Sequence, residues 1–279
     1  MNPRMTIRIL LLLLLGGPLG GRVAAQPSRA ETDAIVAEGF ELFHLQLAAW
    51  QASDAVLGEV ADLEVDAYFT YRDGDSLRTV YYMRAQPEQV VGEVAFDEDA
   101  NIASKRMQWR GRPRSPREQA LMLMREHVLL AIAADKKGYF RTYPATGTNI
   151  LLLPGAKPVA YLLTLPMEPG VVLIGNDYKF EFDAAGKVAN YKRLHADLRS
   201  IPTTEDAEAS AHAHQKGESP YMTATDICTL LLYGQNTTWH HHMVVHPKFV
   251  STWSLDERTL LVLTGKAWDR IVDHQNSKQ

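Results

Sequence analysis

His212 and His214 stand two residues apart at the start of the run H-A-H-Q-K-G-E-S-P-Y-M-T-A-T-D, which ends at Asp226. Side chains at i and i+2 point to the same face of a strand, so the two imidazoles are expected on one side of it. A carboxylate a dozen residues later, at the head of a helix, can close a third corner around a metal ion. Two histidines and an aspartate leave a tetrahedral Zn²⁺ one open position, as a hydrolytic zinc site needs. Water held there is acidified towards neutrality and becomes a nucleophile. The expectation is therefore one zinc ion held by His212, His214 and Asp226. Thr223-Ala-Thr-Asp226 also reads as a helix capping box, and the two readings are compatible because a helix N-terminus can carry both a cap and a ligand.

The elements that must position these residues can be read from periodicity and turn chemistry. Residues 32–51 carry Ile35, Leu42, Phe43, Leu47 and Trp50 at helical spacings. A hairpin is expected from Val65–Arg72 and Leu77–Arg84 around Asp73-Gly74-Asp75-Ser76, followed by a strand over 90–96. The basic, Pro-rich stretch 110–117 reads as a solvated loop. Ser115-Pro116-Arg117-Glu118 then opens a helix with a capping box and a buried stripe of Leu121, Met124, Val128 and Ile132. From residue 148 short strands follow at 149–153, 159–165, 171–174, 178–182 and 187–194. The H-A-H strand comes next, then a helix over 224–233 closed by Gly234, then strands over 242–253 and 260–263. The fold class implied is α+β (mixed α/β), with an N-terminal region over 26–147 and a second region over 148–279.

The first 25 residues read as a secretory leader: Arg4 and Arg8, an apolar core from Ile9 to Leu15, and Val23-Ala24-Ala25 before Gln26. That apolar run is too short to span a bilayer, so a periplasmic or secreted destination is expected, without membrane insertion. The whole chain has a formal charge of −4, and loss of Arg4, Arg8 and Arg22 with the leader takes it to −7. Such a balance offers nucleic acid no electrostatic attraction. Cys228 is the only cysteine, so no internal disulfide can form. Its apolar neighbourhood reads as core rather than as a nucleophile's setting.

Three segments together resemble the JAMM (JAB1/MPN-type) metallopeptidases over about residues 160–270. Glu168-Pro-Gly-Val-Val-Leu-Ile-Gly175 is similar to that family's glutamate before a short apolar strand. His212-x-His214 followed by Thr223-x-x-Asp226 is similar to its H-x-H and S-x-x-D. The resemblance implies a JAMM/cytidine-deaminase-like C-terminal half and zinc ligation by His212, His214 and Asp226. It implies Glu168 as general base and Thr223 as support for the oxyanion, acting on a peptide or isopeptide bond. Gln215 replaces the family's proline, Thr replaces Ser, and the gap before Thr223 is one residue longer. Glu168 also reads as a turn residue, Glu181 is a rival for the base, and a non-catalytic binding or scaffolding domain is the alternative. His195, ahead of the loop leading to the H-A-H strand, could border the pocket as an extra ligand or a substrate-positioning group. His240 and His242 share a strand face and read as a solvated strand end.

Overall fold

A computed structural model describes residues 26–59, 65–168, 170–204 and 206–277. The leader expected over residues 1–25 lies outside these described residues. The chain folds as a mixed α+β protein, and among the described residues no helix is long and apolar enough to cross a membrane.

Helix α1 (Arg29–Glu59) runs beyond the expected span at both ends. It buries Leu42, Leu45, Ala49, Ala52 and Val56, an apolar stripe at three- and four-residue spacing. Strands β1 (Ala67–Asp73) and β2 (Ser76–Tyr82) form the hairpin, with Asp73 opposite Ser76 and Gly74 at φ +60° in the turn. Then come β3 (Gln89–Val90), β4 (Gly92–Asp97), β5 (Arg106–Gln108) and β6 (Arg112–Pro113). The first sheet has the order β1-β2-β4-β5, and β3 pairs with β6. Helix α2 (Pro116–Ala133) opens with the expected capping box of Ser115 and Glu118.

The second half begins with β7 (Thr146–Leu153), β8 (Val159–Pro166), β9 (Val171–Gly175), β10 (Tyr178–Phe182), β11 (Val188–Arg193) and β12 (Leu198–Pro202). An antiparallel sheet β11-β10-β8-β7 stands beside the pair β12-β9. The last unit runs β13 (Ala209–Ala213), α3 (Ala224–Tyr233), β14 (His241–His246), β15 (Phe249–Ser254), β16 (Thr259–Thr264) and α4 (Gly265–Asn276). Its sheet has the order β13-β14-β15-β16, with β13 parallel to β14 and α3 making the crossover between them. The single strand expected over 242–253 is two strands, β14 and β15. Pro247, which has no N–H for a ladder, sits in the turn between them.

One apolar cluster joins Leu42, Leu77, Val94 and Phe96 to Leu151, Tyr161, Cys228 and Leu232, so the core is continuous across residue 147. Helix α1 lies directly on α3. A Cβ placed on Gly39 would come within 2.7 Å of Ile227, one residue beyond Asp226, so the absence of a side chain there sets the depth at which α3 seats.

The 110–117 stretch is less solvated than expected. Arg112 presents both ends of its guanidinium to Glu118 at 2.7 and 2.8 Å and also reaches Glu93. Glu118 is 1% exposed and further accepts from the Tyr71 hydroxyl at 2.9 Å and the Ser115 N–H at 2.8 Å. Burial alone would raise its pKa, but the Arg112 fork and these donors outweigh burial and lower it from 4.5 to about 2. Because the folded pKa is depressed, the stabilisation is fully present above about 4.5 and is lost as pH falls through about 2. Urea unfolding midpoints measured against pH should fall across that window. Glu118→Gln should flatten this acid limb and cost about 3 kcal/mol at neutral pH, because Arg112 is left without its buried partner.

Candidate metal centre

Three imidazoles and one carboxylate converge in the core: His195, His212, His214 and Asp226, with one ligand atom of each lying within 4.8 Å of all the others. A strand, a helix end and a loop between strands deliver them. His212 is on β13, and His214 extends that strand by one residue, its N–H bonding to Val245 O at 2.9 Å. Ala211 and Ala213 face outward while both histidines face in, the alternation that the H-x-H spacing requires. Asp226 is the third residue of α3. His195 lies between β11 and β12.

The four residues are 1%, 6%, 2% and 1% exposed in chain order, so solvent is excluded from the cluster. His195 Nε2 and His214 Nε2 are 2.8 Å apart, and His212 Nε2 and His214 Nε2 are 3.0 Å apart. Asp226 Oδ1 lies 3.1 Å from His195 Nε2 and 3.6 Å from His212 Nε2, while its Oδ2 is 3.6 Å from His214 Nε2. Ligands about 2.1 Å from a tetrahedral ion are separated by about 3.4 Å, inside the range these pairs span.

The opposite nitrogen of each ring is engaged elsewhere. His195 Nδ1 is 2.7 Å from Asp177 Oδ1, and His214 Nδ1 is 2.9 Å from the Ser219 carbonyl. Both partners are oxygen acceptors, a carboxylate and a carbonyl, so both Nδ1 atoms are the donors. In the neutral imidazole, each Nε2 then carries a lone pair directed at the other rings. His212 Nδ1 meets His242 Nε2 at 2.8 Å, and His242 Nδ1 meets Ser210 Oγ at 2.7 Å. Hydrogen bonding to the far nitrogen is how proteins orient metal-ligating histidines.

Asp226 divides its two oxygens between two tasks. Oδ2 accepts from the Thr223 N–H at 2.7 Å and the Thr223 hydroxyl at 2.8 Å, while the Asp226 N–H returns to Thr223 Oγ1 at 3.2 Å. That is a capping box on α3. Oδ1 is fully buried without a hydrogen-bond partner of acceptable geometry, and it faces the imidazoles. A buried orphan carboxylate oxygen opposite two ring nitrogens, with a third ring nitrogen beside them, is a donor set a divalent transition metal fits.

Without an ion, charge is distributed unevenly. Burial opposes protonation of His195, but Asp177 and Asp226 on either side outweigh it and hold its pKa well above the usual imidazole value. Burial likewise opposes ionisation of Asp226, yet His195 first and then His212 and His214 hold it well below the usual carboxylate range. Burial lowers His214, and lowers His212 to about 2 and His242 to about 4. These three rings are neutral at physiological pH and free to act as ligands or as their hydrogen-bonded neighbours.

Of the residues singled out from the sequence, the structure brings together His212, His214, Asp226 and His195. Thr223 is at the cluster's edge, but its hydroxyl serves Asp226 and the helix end. Glu168 is elsewhere. It is exposed in the loop before β9 and lines a surface groove of about 390 Å³ with Trp50, Tyr233 and Asn236. Tyr233 ends α3 and Asp226 lies in its first turn, so Glu168 sits toward the far end of the helix, roughly 10 Å along its axis from the cluster. Glu181 is also remote, on β10 with its carboxylate 3.2 Å from Asn190. His242, expected at a solvated strand end, is buried and bonded to His212, because β14 is an interior strand between β13 and β15.

Sequence reasoning missed Asp177, although Gly175-Asn176-Asp177 after an apolar strand was a visible turn signal. It also missed Glu218, whose carboxylate accepts from the Ala196 and Gln215 N–H groups and so ties together the segments that follow His195 and His214.

Comparison of the chain with protein-family models, curated proteins and solved structures finds no match in any of the three. What the coordinates define is a mixed α+β protein with a buried three-histidine, one-carboxylate cluster that could hold a metal ion. If His195 belongs to the ligand set, protein purified from zinc-supplemented medium should carry about one ion per chain by elemental analysis. His195→Ala should then lose that ion as thoroughly as His212→Ala or Asp226→Ala. Retention of the ion in His195→Ala alone would return the centre to the three-ligand arrangement.

Proposed function

We propose that this is an exported zinc protein whose ion is held in a closed, four-ligand site and serves the fold of a non-catalytic, JAMM-like binding or scaffolding domain. One observation carries the reading: the His195 imidazole occupies the corner that a hydrolytic zinc keeps for water. Structural zinc sites are four-coordinate and sealed, whereas catalytic ones keep three protein ligands and an open position. Two further placements support it. Glu168 lies toward the far end of α3 from the cluster, and the Thr223 hydroxyl is committed to Asp226. Three imidazoles and a carboxylate accept zinc as they accept copper, iron or nickel, and the tetrahedral-scale spacing of the ligand atoms is what supports zinc. Export itself rests on the leader-like first 25 residues.

A second reading, zinc-dependent hydrolysis of a peptide or isopeptide bond, is favoured by the placement of H-x-H on a strand and Asp226 at the following helix N-terminus. That reading requires His195 to leave the ion and a carboxylate other than Glu168 to serve as base.

Thermal unfolding with and without zinc tests the metal site, and a cleavage assay beside it separates the two readings. Under the closed-site reading, free zinc at a thousand times its Kd stabilises the fold by about 4 kcal/mol. In a chain of this size that moves the midpoint by roughly 8–16 °C. No chelator-sensitive cleavage of peptide or isopeptide substrates should accompany it. Turnover that disappears with the metal and returns on adding zinc would overturn the closed site in favour of the hydrolase.

A further inference from the structure

Asp177 touches the cluster without belonging to it. It is 4% exposed and has two side-chain partners, one on each oxygen. Oδ1 accepts from His195 Nδ1 at 2.7 Å, and Oδ2 accepts from the Thr225 hydroxyl. Thr225 is the second residue of α3, and its hydroxyl lies 2.9 Å from that of Thr223. The groups therefore close a ring: Asp177, His195, Asp226, Thr223, Thr225 and back to Asp177. All five are buried.

The backbone that delivers Asp177 is itself constrained. Gly175 ends β9 at φ +101°, where a Cβ would lie 2.2 Å from the Asp197 carbonyl and 3.1 Å from His195 Cβ. Asn176 follows at φ +50°, a left-handed conformation that Asn tolerates better than most residues. Its side chain is pinned at both ends, donating to Arg141 O and Thr164 Oγ1 at 2.9 Å and accepting from the Tyr178 hydroxyl at 2.9 Å. Two successive left-handed residues turn the chain sharply, so Asp177 points into the core beneath His195. Strained backbone held this firmly is characteristic of sites where a side chain must be aimed.

We propose that Asp177 is the positioning residue of the centre: its carboxylate fixes His195 with Nδ1 protonated and Nε2 directed at the ion, and Thr225 locks that carboxylate to the α3 N-terminus. The inference rests on the four-ligand reading above. It adds that the T-A-T-D motif acts on the ion twice, directly through Asp226 and indirectly through Thr225, Asp177 and His195. A carboxylate behind a ligating imidazole also raises its basicity, and losing such a partner typically weakens metal binding about 10- to 100-fold.

The test is zinc affinity by competition with a chromophoric chelator, together with the visible absorption of the cobalt(II)-substituted protein. Asp177→Asn keeps the side chain's shape but loses its charge, and should weaken zinc binding about tenfold and shift the cobalt bands. Thr225→Val should produce a smaller change of the same sign. Metal-free Asp177→Asn should unfold below the metal-free wild type, because the protonated His195 loses its buried partner, and the loss should be larger in the zinc-loaded protein, where the carboxylate also acts through the ion.

Zinc affinity within twofold of wild type and a superposable cobalt spectrum in Asp177→Asn would overturn the assignment. So would a loss of stability that is equal with and without metal. Should Asp177→Asn not fold, Thr225→Val decides: unchanged affinity and spectrum there end the proposal. Wild-type protein that binds neither metal is a separate failure, of the metal centre itself.

Discussion

Everything in the second half of this protein is arranged around a single electrostatic constraint: three ring nitrogens and a carboxylate oxygen face one another where water does not reach. Two of the rings are held from behind by oxygen acceptors at Nδ1, so in their neutral forms their lone pairs would oppose each other at 2.8 Å. Such a contact is unfavourable without a cation between the rings, whether a proton or a metal. The core must therefore be rigid enough to impose it. That rigidity comes from outside the cluster: the parallel pairing of β13 with β14, the seating of α1 on α3 at Gly39, and the turn at Gly175. A large residue at Gly39 would move a ligand without touching it, and one at Gly175 would press on His195 itself.

The helix terminus shows how one short motif can satisfy two demands. A capping aspartate has two oxygens, and a cap needs only one. Thr223 takes Oδ2, and the geometry of the cap then leaves Oδ1 directed away from the helix into the cluster. The cap thus removes the rotational freedom that a free carboxylate would lose on gripping an ion. Weighing the capping box against the metal ligand as rival explanations of Thr223-Ala-Thr-Asp226 sets up a false choice, because the first makes the second cheaper in entropy.

How far the site could be read in advance follows from the range of each interaction. His212, His214 and Asp226 are set by local rules: strand alternation for the pair, and helix capping for the acid. The same rules delivered the Ser115–Glu118 cap, the Gly74 hairpin and most strands. His195, Asp177 and His242 meet their partners through sheet order and turn geometry, which no local window contains. His242 shows the difference sharply: alternation placed it on the same face as His240, but only the position of β14 inside its sheet decides that the face is buried. Glu168 lies apart from the cluster for a related reason. A residue before a five-residue strand and one after it are roughly 17 Å apart, so if the chain beyond β9 reaches the cluster, the chain before β9 does not. It is Asp177, just beyond β9, that does.

Charge balance bears on how an ion would be held. A divalent cation among three neutral imidazoles and the Asp226 carboxylate would leave one positive charge, and a carboxylate behind His195 would offset it inside the same buried volume, the condition that a site excluded from water must approach. Water in place of the His195 imidazole would leave that sum unchanged, because both are neutral donors, so charge alone admits either coordination. Direction is what distinguishes them. With Nδ1 engaged by Asp177 at 2.7 Å, the opposite nitrogen of His195 faces the other ligand atoms, 2.8 Å from His214 Nε2. A ring aimed in this way from behind is placed as a ligand is placed, so the case for a fourth ligand rests on the aim that Asp177 gives His195.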